Sequence, residues 1–295
     1  MNDRLRRGLK TAARPLFAPL LNYLALKDSC SPAVKVAQRH LFNYYQRELS
    51  SGKRWRLRDT GFRNYSMHEE DGMLLYIFAA VGMGRRLFVD IGAGNGLANN
   101  NCANLAINFG WHGLFIDAHR GRIDSGRAYY HKQKDTKLFP PLFVDAFVKR
   151  ENINEIIADQ GIKGEIDLLS VDIDGNDYWI WEALSVIQPR VVVIEIRVEF
   201  GLRQIVVPYD AAYQTPDDNP DYGGASLAAM TSLARAKGYR LVGANGYGFN
   251  AFYVENGCGD DILPEVSVES ILSHPRNLER AKRFDAIGDR EYVEG

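Results

Sequence analysis

The sequence predicts an α/β protein built on a doubly wound, mostly parallel sheet. Between residues 87 and 196, short apolar runs suited to buried strands alternate with helix-compatible stretches. Near-continuous apolar strands separated by helices are typical of a parallel sheet that is covered on both faces. Two later runs, joined through Asn245-Gly246, predict a closing antiparallel hairpin. We therefore expect seven strands, of which the last pair is antiparallel.

The chain before the first strand is expected to be mostly helical. We divide the sequence into a helical N-terminal extension (residues 1–63), a core domain (64–257) and a charged C-terminal tail (258–295) expected to form a solvated helix. Ser66-Met-His-Glu69 matches a capping box. The helix that it would open has Glu70 and Asp71 in its first turn, where the helix dipole favours acidic side chains.

A glycine-rich loop follows the first predicted strand, residues 87–90. That strand ends at Asp90, and Gly92, Gly94 and Gly96 then alternate before a helix expected over 98–109. Glycines let the backbone turn sharply and let a ligand approach it closely.

The second predicted strand, residues 113–117, ends in an acidic residue. Asp117 lies about 20 residues past the glycine loop, where an acid can accept hydrogen bonds from a ribose diol. Together, the glycine loop and Asp117 predict a nucleoside-binding site.

The spacing of the glycines distinguishes between nucleoside cofactors. Enzymes that bind dinucleotides need G-x-G-x-x-G, because a pyrophosphate sits on the helix N-terminus. Here the pattern is D-x-G-x-G-x-G, and the Asp90 carboxylate would repel a pyrophosphate. The same carboxylate suits S-adenosylmethionine, whose sulfonium and ammonium groups are cationic. A nicotinamide-dependent oxidoreductase and a non-catalytic nucleoside-binding module are the alternatives.

The remaining strands are expected at residues 141–145, 166–172, 191–196, 239–243 and 249–254. A helix is expected around 152–159 and another over 225–237, which follows a long polar loop at 209–224. Further cofactor contacts are expected at the ends of the second and third strands and in the first turn of the helix before the sheet. They are Ala118 next to Asp117, Asp145 and Ala146 at the adenine, and Glu70 and Asp71 at the methionine ammonium.

Acidic residues at the end of the fourth strand are the candidates for chemistry. Asp172 and Asp174 are two residues apart, so their side chains point the same way if the strand is still extended. Either can accept a hydroxyl proton or hold a divalent cation such as magnesium. A plain turn and helix cap is the alternative. Glu195 and Arg197 lie on the same edge and either position substrate or pair with each other.

Histidines and aromatic residues give weaker signals. His68 lies in the segment expected to cover the site and is the best histidine candidate for a base. His119 is expected at the cofactor rim, and His112 at the opposite edge of the sheet. Tyr178, Trp179 and Trp181 could stack on a sugar, but a buried helix face is the simpler interpretation.

Composition restricts the partners. The net charge of −1 gives no basic field for nucleic acid. Three scattered cysteines form no C-x-x-C pair and fit a reducing cytoplasm. A basic cluster precedes the apolar stretch 15–26, which is too short to span a membrane. We expect this segment to pack on the domain as a helix, or to contact an anionic membrane at its inner surface or a partner protein.

Six sequence blocks carry a family resemblance over about residues 64–255. They read VDIGAGNG, GWHGLFID, VDAF, LLSVDIDGND, PRVVVIE and GYRLVGANGYGFNAFYV. The combination resembles the FkbM-type branch of the class I S-adenosylmethionine-dependent methyltransferases, which have a Rossmann-like sheet. The resemblance implies O-methylation of a sugar hydroxyl in a glycan or glycosylated metabolite. The fourth-strand block departs from the family pattern D-x-E-G-x-E, because Asp174 and Asp177 replace both glutamates.

Overall fold

The computed structural model describes residues 31–214, 216 and 218–295. Two helices precede the sheet in this part of the chain, α1 (Pro32–Ser50) and α2 (Glu70–Val81). Ser31 begins α1, because its Oγ accepts a hydrogen bond of 3.3 Å from the N–H of Val34. The basic cluster and the apolar stretch 15–26 lie outside the described residues. Within the described ranges, no helix is both long and apolar enough to cross a membrane.

The strands follow in the predicted order. Their bounds are β1 (Leu87–Ile91), β2 (His112–Asp117), β3 (Leu142–Asp145), β4 (Gly164–Val171), β5 (Ile187–Glu195), β6 (Ile205–Val206), β7 (Tyr239–Ala244), β8 (Asn250–Glu255) and β9 (Val293–Glu294). The helices between and after them are α3 (Ala103–Phe109), α4 (Arg120–Lys132), α5 (Ile153–Asp159), α6 (Asp177–Ala183), α7 (Leu227–Ala236), α8 (Val268–Leu272) and α9 (Pro275–Ala281).

The main sheet has seven strands in the order β3-β2-β1-β4-β5-β8-β7. Strands β1 to β5 pair in parallel, and β8 runs antiparallel to both β5 and β7. The predicted fold class, a doubly wound Rossmann-like sheet closed by an antiparallel hairpin, is therefore confirmed. Strands β6 and β9 form a separate two-stranded ribbon.

Helices cover both faces of the sheet. Alternate residues of each strand face opposite layers, so that Phe88 packs under α2 and α3 while Val89 packs toward α5 and α6. This double burial explains why the central strands read as apolar runs. It also leaves the carboxyl ends of β1 to β4 as the edge where ligands bind in open α/β sheets.

The helix after the glycine loop begins later than predicted. It starts at Ala103, because Asn99 has a left-handed φ of 55° and the Asn100 side chain caps the new start. Asn100 Oδ1 accepts from the N–H groups of Cys102 and Ala103 at 3.0 and 2.8 Å. As predicted, the helix ends at Gly110, which is left-handed.

The predicted capping box is wrong in its partner. Helix α2 begins at Glu70, and the Ser66 N–H and hydroxyl bond to the Asp71 carboxylate at 2.8 and 3.0 Å, not to Glu69. Glu69 instead accepts a hydrogen bond from the N–H of Gly246. Asp71, two residues beyond Glu69, is therefore the hydrogen-bond partner of Ser66, and its carboxylate is buried.

The C-terminal tail is not the solvated helix that was expected. It forms two short helices, α8 and α9, and then β9. Leu272 and Ile287 are buried, and Arg280 forms an ion pair with the fully buried Glu199 at 2.7 Å. The tail therefore packs over the segment that follows β5.

Candidate active site

A cavity of about 430 Å³ opens at the carboxyl ends of β1 to β4. It brings together several residues that the sequence singled out. Its lining includes Gly92, Asp117, Ala118, Ala146, Asp172 and Asp174, with His119 and Arg122 at the rim. A second hollow of about 530 Å³ adjoins it and is lined by the glycine loop, including Gly94. The two share Gly92, His119 and Arg122, so they form one cleft.

Backbone amides of the glycine loop are already bonded within the protein. The N–H groups of Gly92 and Ala93 donate to the carbonyl of Ile116, and the N–H of Gly96 donates to Ala93. The Oδ1 of Asn95 accepts hydrogen bonds of 3.0 Å from the N–H groups of Leu97 and Ala98. These amides are therefore not presented to a phosphate.

Asp117 holds the loop against β2. Its Oδ2 accepts from the Gly94 N–H at 2.8 Å, and its Oδ1 accepts from the His119 N–H at 2.7 Å. The carboxylate is half-buried and faces the cavity. Each carboxylate oxygen can accept more than one hydrogen bond, so capacity remains for a ligand hydroxyl.

Asp145 lies directly beside Asp117 at the ends of the paired strands β2 and β3. Its side chain is exposed, and it is the following residue, Ala146, that lines the cavity. Phe147 and Val148 continue this wall. The apolar wall suits a flat ring better than a charged group.

Asp90 is buried behind the glycine loop and does not line the cleft. It is 2% exposed, and its Oδ2 accepts from Asn100 Nδ2 at 2.7 Å. Burial raises its pKa to about 6, although hydrogen bonds from Asn100 and neighbours favour the ionised form. Its contact with a methionine group stays a prediction.

Asp71 is the second buried acid on this side. Its Oδ2 accepts from the N–H groups of Asn64, Tyr65 and Ser66 at 2.6–2.8 Å, whereas its buried Oδ1 has no hydrogen-bond partner. Burial raises the pKa of Asp71 to about 6. The Cys102 thiol is buried near both acids. Its burial, together with the negative charges of Asp90 and Asp71, raises its pKa. The two acids therefore face a common region behind the loop.

Glu70 serves a structural role in the described chain. It is fully buried, and its carboxylate accepts from the side chains of Asn245 and Asn250 and from the His68 N–H. These bonds fasten the start of α2 to the β7–β8 hairpin.

Three carboxylates meet at the ends of β4 and β5. One oxygen from each of Asp172, Asp174 and Glu195 lies within 4.8 Å of the other two. Glu195 is 8% exposed and pairs with Arg197 at 3.2 Å, as one sequence alternative proposed. The other oxygen of Glu195 and the Nε of Arg197 are buried without a hydrogen-bond partner.

The crowding of negative charge changes the acidity of this group. The Asp172 side chain is open to the cleft, but protein surrounds its other sides. Loss of solvent, with the charges of Asp177, Asp174 and Asp90, raises the pKa of Asp172 well above that of an ordinary aspartate. Burial likewise raises the pKa of Glu195, against the opposing charge of Arg197.

The turn that carries Asp172 and Asp174 is held by Asp177. The Asp177 carboxylate accepts from the N–H groups of Ile173 and Gly175 at 2.9 and 3.0 Å. Asp174 itself has a left-handed φ of 61°, which is uncommon for a residue other than glycine. Local strain at a cleft often accompanies function.

His68 does not line the cleft. Its ring stacks on Tyr247 and Phe249, with centroids 4.4 and 5.1 Å away, and its Nε2 is buried without a hydrogen-bond partner. His112 begins β2 at the amino edge, as expected, and His119 lies at the rim. Tyr178 and Trp181 are buried on α6, which agrees with the helix-face interpretation.

Sequence analysis missed Tyr213, which lines the cavity from the long polar loop. The ring fits against Gly175 and Gly223, where a Cβ would lie 2.0 and 2.4 Å from its atoms. Its hydroxyl donates to the carbonyl of Tyr222 at 2.7 Å, and burial raises its pKa to about 12. An aromatic residue within a polar loop was the available signal.

A separate cavity of about 490 Å³ lies beside the end of β7. Trp55, Leu57, Val242 and Ile262 contribute apolar surface to it. No predicted site residue lines it.

Comparisons with solved structures found methyltransferases. The magnesium protoporphyrin IX methyltransferase of Synechocystis PCC 6803, solved with bound S-adenosylmethionine, is 11% identical, with a TM-score of 0.39 over 63% of this chain and 78% of that one. A TehB-like methyltransferase from Corynebacterium glutamicum is 11% identical, with a TM-score of 0.37 over 77% and 100%. An O-methyltransferase from Bacillus cereus, in complex with S-adenosylhomocysteine, is 14% identical, with a TM-score of 0.36 over 57% and 72%.

No protein-family model and no curated protein matches the chain. At these low sequence identities, the similarity concerns the fold alone.

Proposed function

We propose that this chain is an S-adenosylmethionine-dependent methyltransferase that acts on a hydroxyl group. The observation that carries the proposal is the cleft at the carboxyl ends of β1 to β4. It places the glycine loop and Asp117 on one side and the carboxylates of Asp172 and Asp174 on the other. Such a cleft holds a nucleoside and an acceptor side by side.

The residues present fit the cofactor. Asp117 offers acceptor capacity to the ribose hydroxyls, and the wall formed by Ala146, Phe147 and Val148 suits adenine. The unpartnered Oδ1 of Asp71, with Asp90 nearby, provides buried negative charge for the cationic methionine end. When bound, S-adenosylmethionine supplies a methyl group on a sulfonium.

The bonding of the loop disfavours the nicotinamide alternative. A dinucleotide enzyme offers free amides at a helix N-terminus to the pyrophosphate. Here the amides of Gly92, Gly94 and Gly96 are used internally, and the helix begins only at Ala103, with its first N–H groups capped by Asn100. The acidic cluster beside Gly92 also opposes a phosphate.

The carboxylate cluster provides the chemistry that an alcohol requires. A neutral hydroxyl is a poor nucleophile, so its proton must be taken up as the methyl group is transferred. Asp172 lies in the cleft and its raised pKa makes it a stronger base than an ordinary aspartate. We assign it as the proton acceptor, with Asp174 positioning the hydroxyl. His68, the histidine candidate, is disfavoured because its ring stacks on Tyr247 and Phe249 and does not line the cleft.

A divalent cation such as magnesium is a second use of the same cluster. Asp172, Asp174 and Glu195 supply hard oxygen ligands, and the unpartnered oxygen of Glu195 is suited to a cation. A bound cation lowers the pKa of a coordinated hydroxyl.

The proposal also covers the family branch and the substrate. We infer membership of the FkbM-type branch and methylation of a sugar hydroxyl in a glycan or glycosylated metabolite. Asp177, at the second glutamate position of the fourth-strand motif, braces the turn with its carboxylate, a task that aspartate or glutamate can perform. The replacement of this glutamate by aspartate is therefore compatible with the branch.

We also propose that the protein works in the cytoplasm, at the inner membrane surface when its basic N-terminus engages lipid. Among the described residues, Cys102 and Cys258 are free thiols.

Thermal melting with and without nucleosides tests the cofactor assignment. A ligand that binds only the folded state raises the melting temperature. S-adenosylmethionine and S-adenosylhomocysteine should do so in a saturable way, and NAD and NADP should not. Saturable stabilisation by NAD without any by S-adenosylhomocysteine contradicts the proposal. Transfer of labelled methyl from S-adenosylmethionine to a panel of glycans then identifies the acceptor.

A further inference from the structure

A surface far from the cleft carries exposed apolar side chains. The loop between α4 and β3 places Leu138 and Phe139 in solvent at 78% and 83% exposure, the highest values among the large exposed apolar residues of the described chain. Two adjacent side chains of this size are costly to leave in water. Such exposure is typical of a surface that contacts a partner or a membrane.

Lysines flank the two apolar side chains. Lys132 at the end of α4 is exposed, as are Lys134 and Lys137 in the loop. Its single acid, Asp135, is already neutralised by an ion pair with Lys35 of α1. We name residues 132–139 the basic–apolar loop. Its positive charge and apolar tip match an anionic lipid surface, where lysines meet headgroups and apolar side chains enter the interface.

The loop is held in shape rather than extended freely. Thr136 is buried, and its hydroxyl donates to the carbonyl of Tyr130 at 2.7 Å. The N–H of Lys137 donates to Gln133 at 2.9 Å, and that of Phe139 donates to Thr136 at 3.0 Å. These bonds display Leu138 and Phe139 outward at little further loss of conformational entropy on binding.

The position of α1 adds a second line of support. Lys35 lies in the first turn of α1 and pairs with Asp135, so the described chain begins beside this loop. Residues 1–30, which precede it, carry a basic cluster followed by the apolar stretch 15–26. A second basic and apolar segment of the sequence therefore precedes the helix that pairs with this loop.

We propose that the basic–apolar loop docks this protein onto an anionic lipid surface, with Leu138 and Phe139 entering the interface and Lys134 and Lys137 contacting headgroups. The loop enters β3 at its amino end, whereas the cleft lies at the carboxyl end, beside Ala146. Docking therefore leaves the cleft open to water. The proposal does not depend on methyl transfer.

Sedimentation of the full chain with lipid vesicles tests the proposal. We expect binding to vesicles of phosphatidylglycerol mixed with phosphatidylcholine, and much weaker binding to phosphatidylcholine alone. The double variant Leu138→Ser/Phe139→Ser should bind the anionic vesicles at least about tenfold more weakly, because two large apolar side chains no longer enter the interface. Lys134→Gln and Lys137→Gln should each cost about fivefold at low salt.

A control double variant removes two other exposed apolar side chains. Leu202→Ser/Leu278→Ser acts at positions 61% and 55% exposed, away from the loop, and should bind vesicles like the parent. All four altered apolar residues are exposed, so the variants should remain folded, which their melting temperatures verify. Equal losses in the two double variants would overturn the proposal.

A fluorescent reporter locates the contact directly. Tryptophan emission of Phe139→Trp, relative to the parent, should shift to shorter wavelength with anionic vesicles, and that of Leu202→Trp should not. The proposal is overturned if the parent does not bind anionic vesicles, which would leave a protein partner for this surface. It is equally overturned if Leu138→Ser/Phe139→Ser binds as the parent does, since residues 1–30 would then supply the whole interaction.

Discussion

The Asp117 carboxylate accepts a 2.8 Å hydrogen bond from the backbone N–H of Gly94. This bond joins the end of β2 to the middle of the glycine loop. The acid expected to bind a ribose therefore also fixes the loop beneath the cofactor. Two effects of one side chain have to be separated by experiment.

Replacing Asp117 distinguishes these effects. Asp117→Ala should weaken S-adenosylhomocysteine binding by about 1–3 kcal/mol, because it removes a charged acceptor and releases the loop. Asp117→Asn keeps an oxygen for the Gly94 N–H but loses the charge and the acceptor for the His119 N–H, so a smaller loss than that of Asp117→Ala is expected. Calorimetric titration measures both. An unchanged dissociation constant for Asp117→Ala would remove this residue from the site.

Two glycines of the loop should respond differently to alanine. Gly92 and Gly94 both have positive φ, 83° and 60°. A Cβ at Gly92 would lie 1.8 Å from the carbonyl oxygen of Asp172, whereas one at Gly94 meets no atom within 4 Å. Gly94→Ala should destabilise the fold by about 1–2 kcal/mol through φ alone. Gly92→Ala should cause the same loss through φ and a further loss of about 1–3 kcal/mol through overpacking at the end of β4.

Urea unfolding of the two variants measures these free energies. Equal losses of unfolding free energy for Gly92→Ala and Gly94→Ala would show that the ends of β1 and β4 can move apart without an energetic cost. Because Gly94 faces open space in the cleft, its alanine variant should also bind S-adenosylhomocysteine less well than the parent.

The strands were predictable because their signal is local. Each central strand is an apolar run, and the acids that end β2 and β3 mark the ligand edge directly. That edge follows from the parallel topology alone. Asp117, Ala146 and Asp172 consequently lie together in the cleft as expected.

Other features depend on contacts that the sequence does not display. Ser66 could not be matched to Asp71 from spacing, because the pair forms across an irregular turn. Tyr213 reaches the cleft from a loop without periodicity, so the sequence does not predict its position. The burial of Asp90 behind the loop likewise depends on Asn100, which lies beyond the glycine motif.

The burial of Asp90 predicts a stability that depends on pH. Its pKa is about 6 when folded, against about 3.9 in an unfolded chain. The folded state therefore loses stability relative to the unfolded state as pH rises from about 4 to about 6, by about 3 kcal/mol. Asp90→Asn keeps the shape and the bond from Asn100. It should thus stabilise the protein at about pH 7 and change little at about pH 4.

Urea unfolding at the two pH values tests this prediction, with Asp145→Asn as an exposed control that should have no effect at either. Asp90→Asn should also weaken binding of S-adenosylmethionine, since it removes buried negative charge from the side expected to meet the methionine cation. A variant less stable than the parent at neutral pH would contradict the assigned cause, the burial of an ionised carboxylate.

The carboxylate cluster at the ends of β4 and β5 makes two mechanisms distinguishable. If Asp172 is the base, the rate falls as pH drops, because protonation removes the acceptor, and its raised pKa places that fall above the range of an ordinary aspartate. If a cation acts, its charge offsets the carboxylates, and activity depends on added magnesium. Glu195→Gln should then raise the magnesium concentration required by about tenfold or more.

Asp172→Asn decides whether this residue takes part in turnover. It keeps the side-chain shape and removes the charge, so the methyl-transfer rate should fall by about a hundredfold or more while S-adenosylhomocysteine affinity stays nearly unchanged. Asp159→Asn, a surface substitution on α5, serves as the control and should retain the parental rate. Adding and chelating magnesium separates the two mechanisms, because only the cation route responds. If Asp172→Asn turns over at the parental rate, Asp172 is structural, and the base must be sought at Asp174.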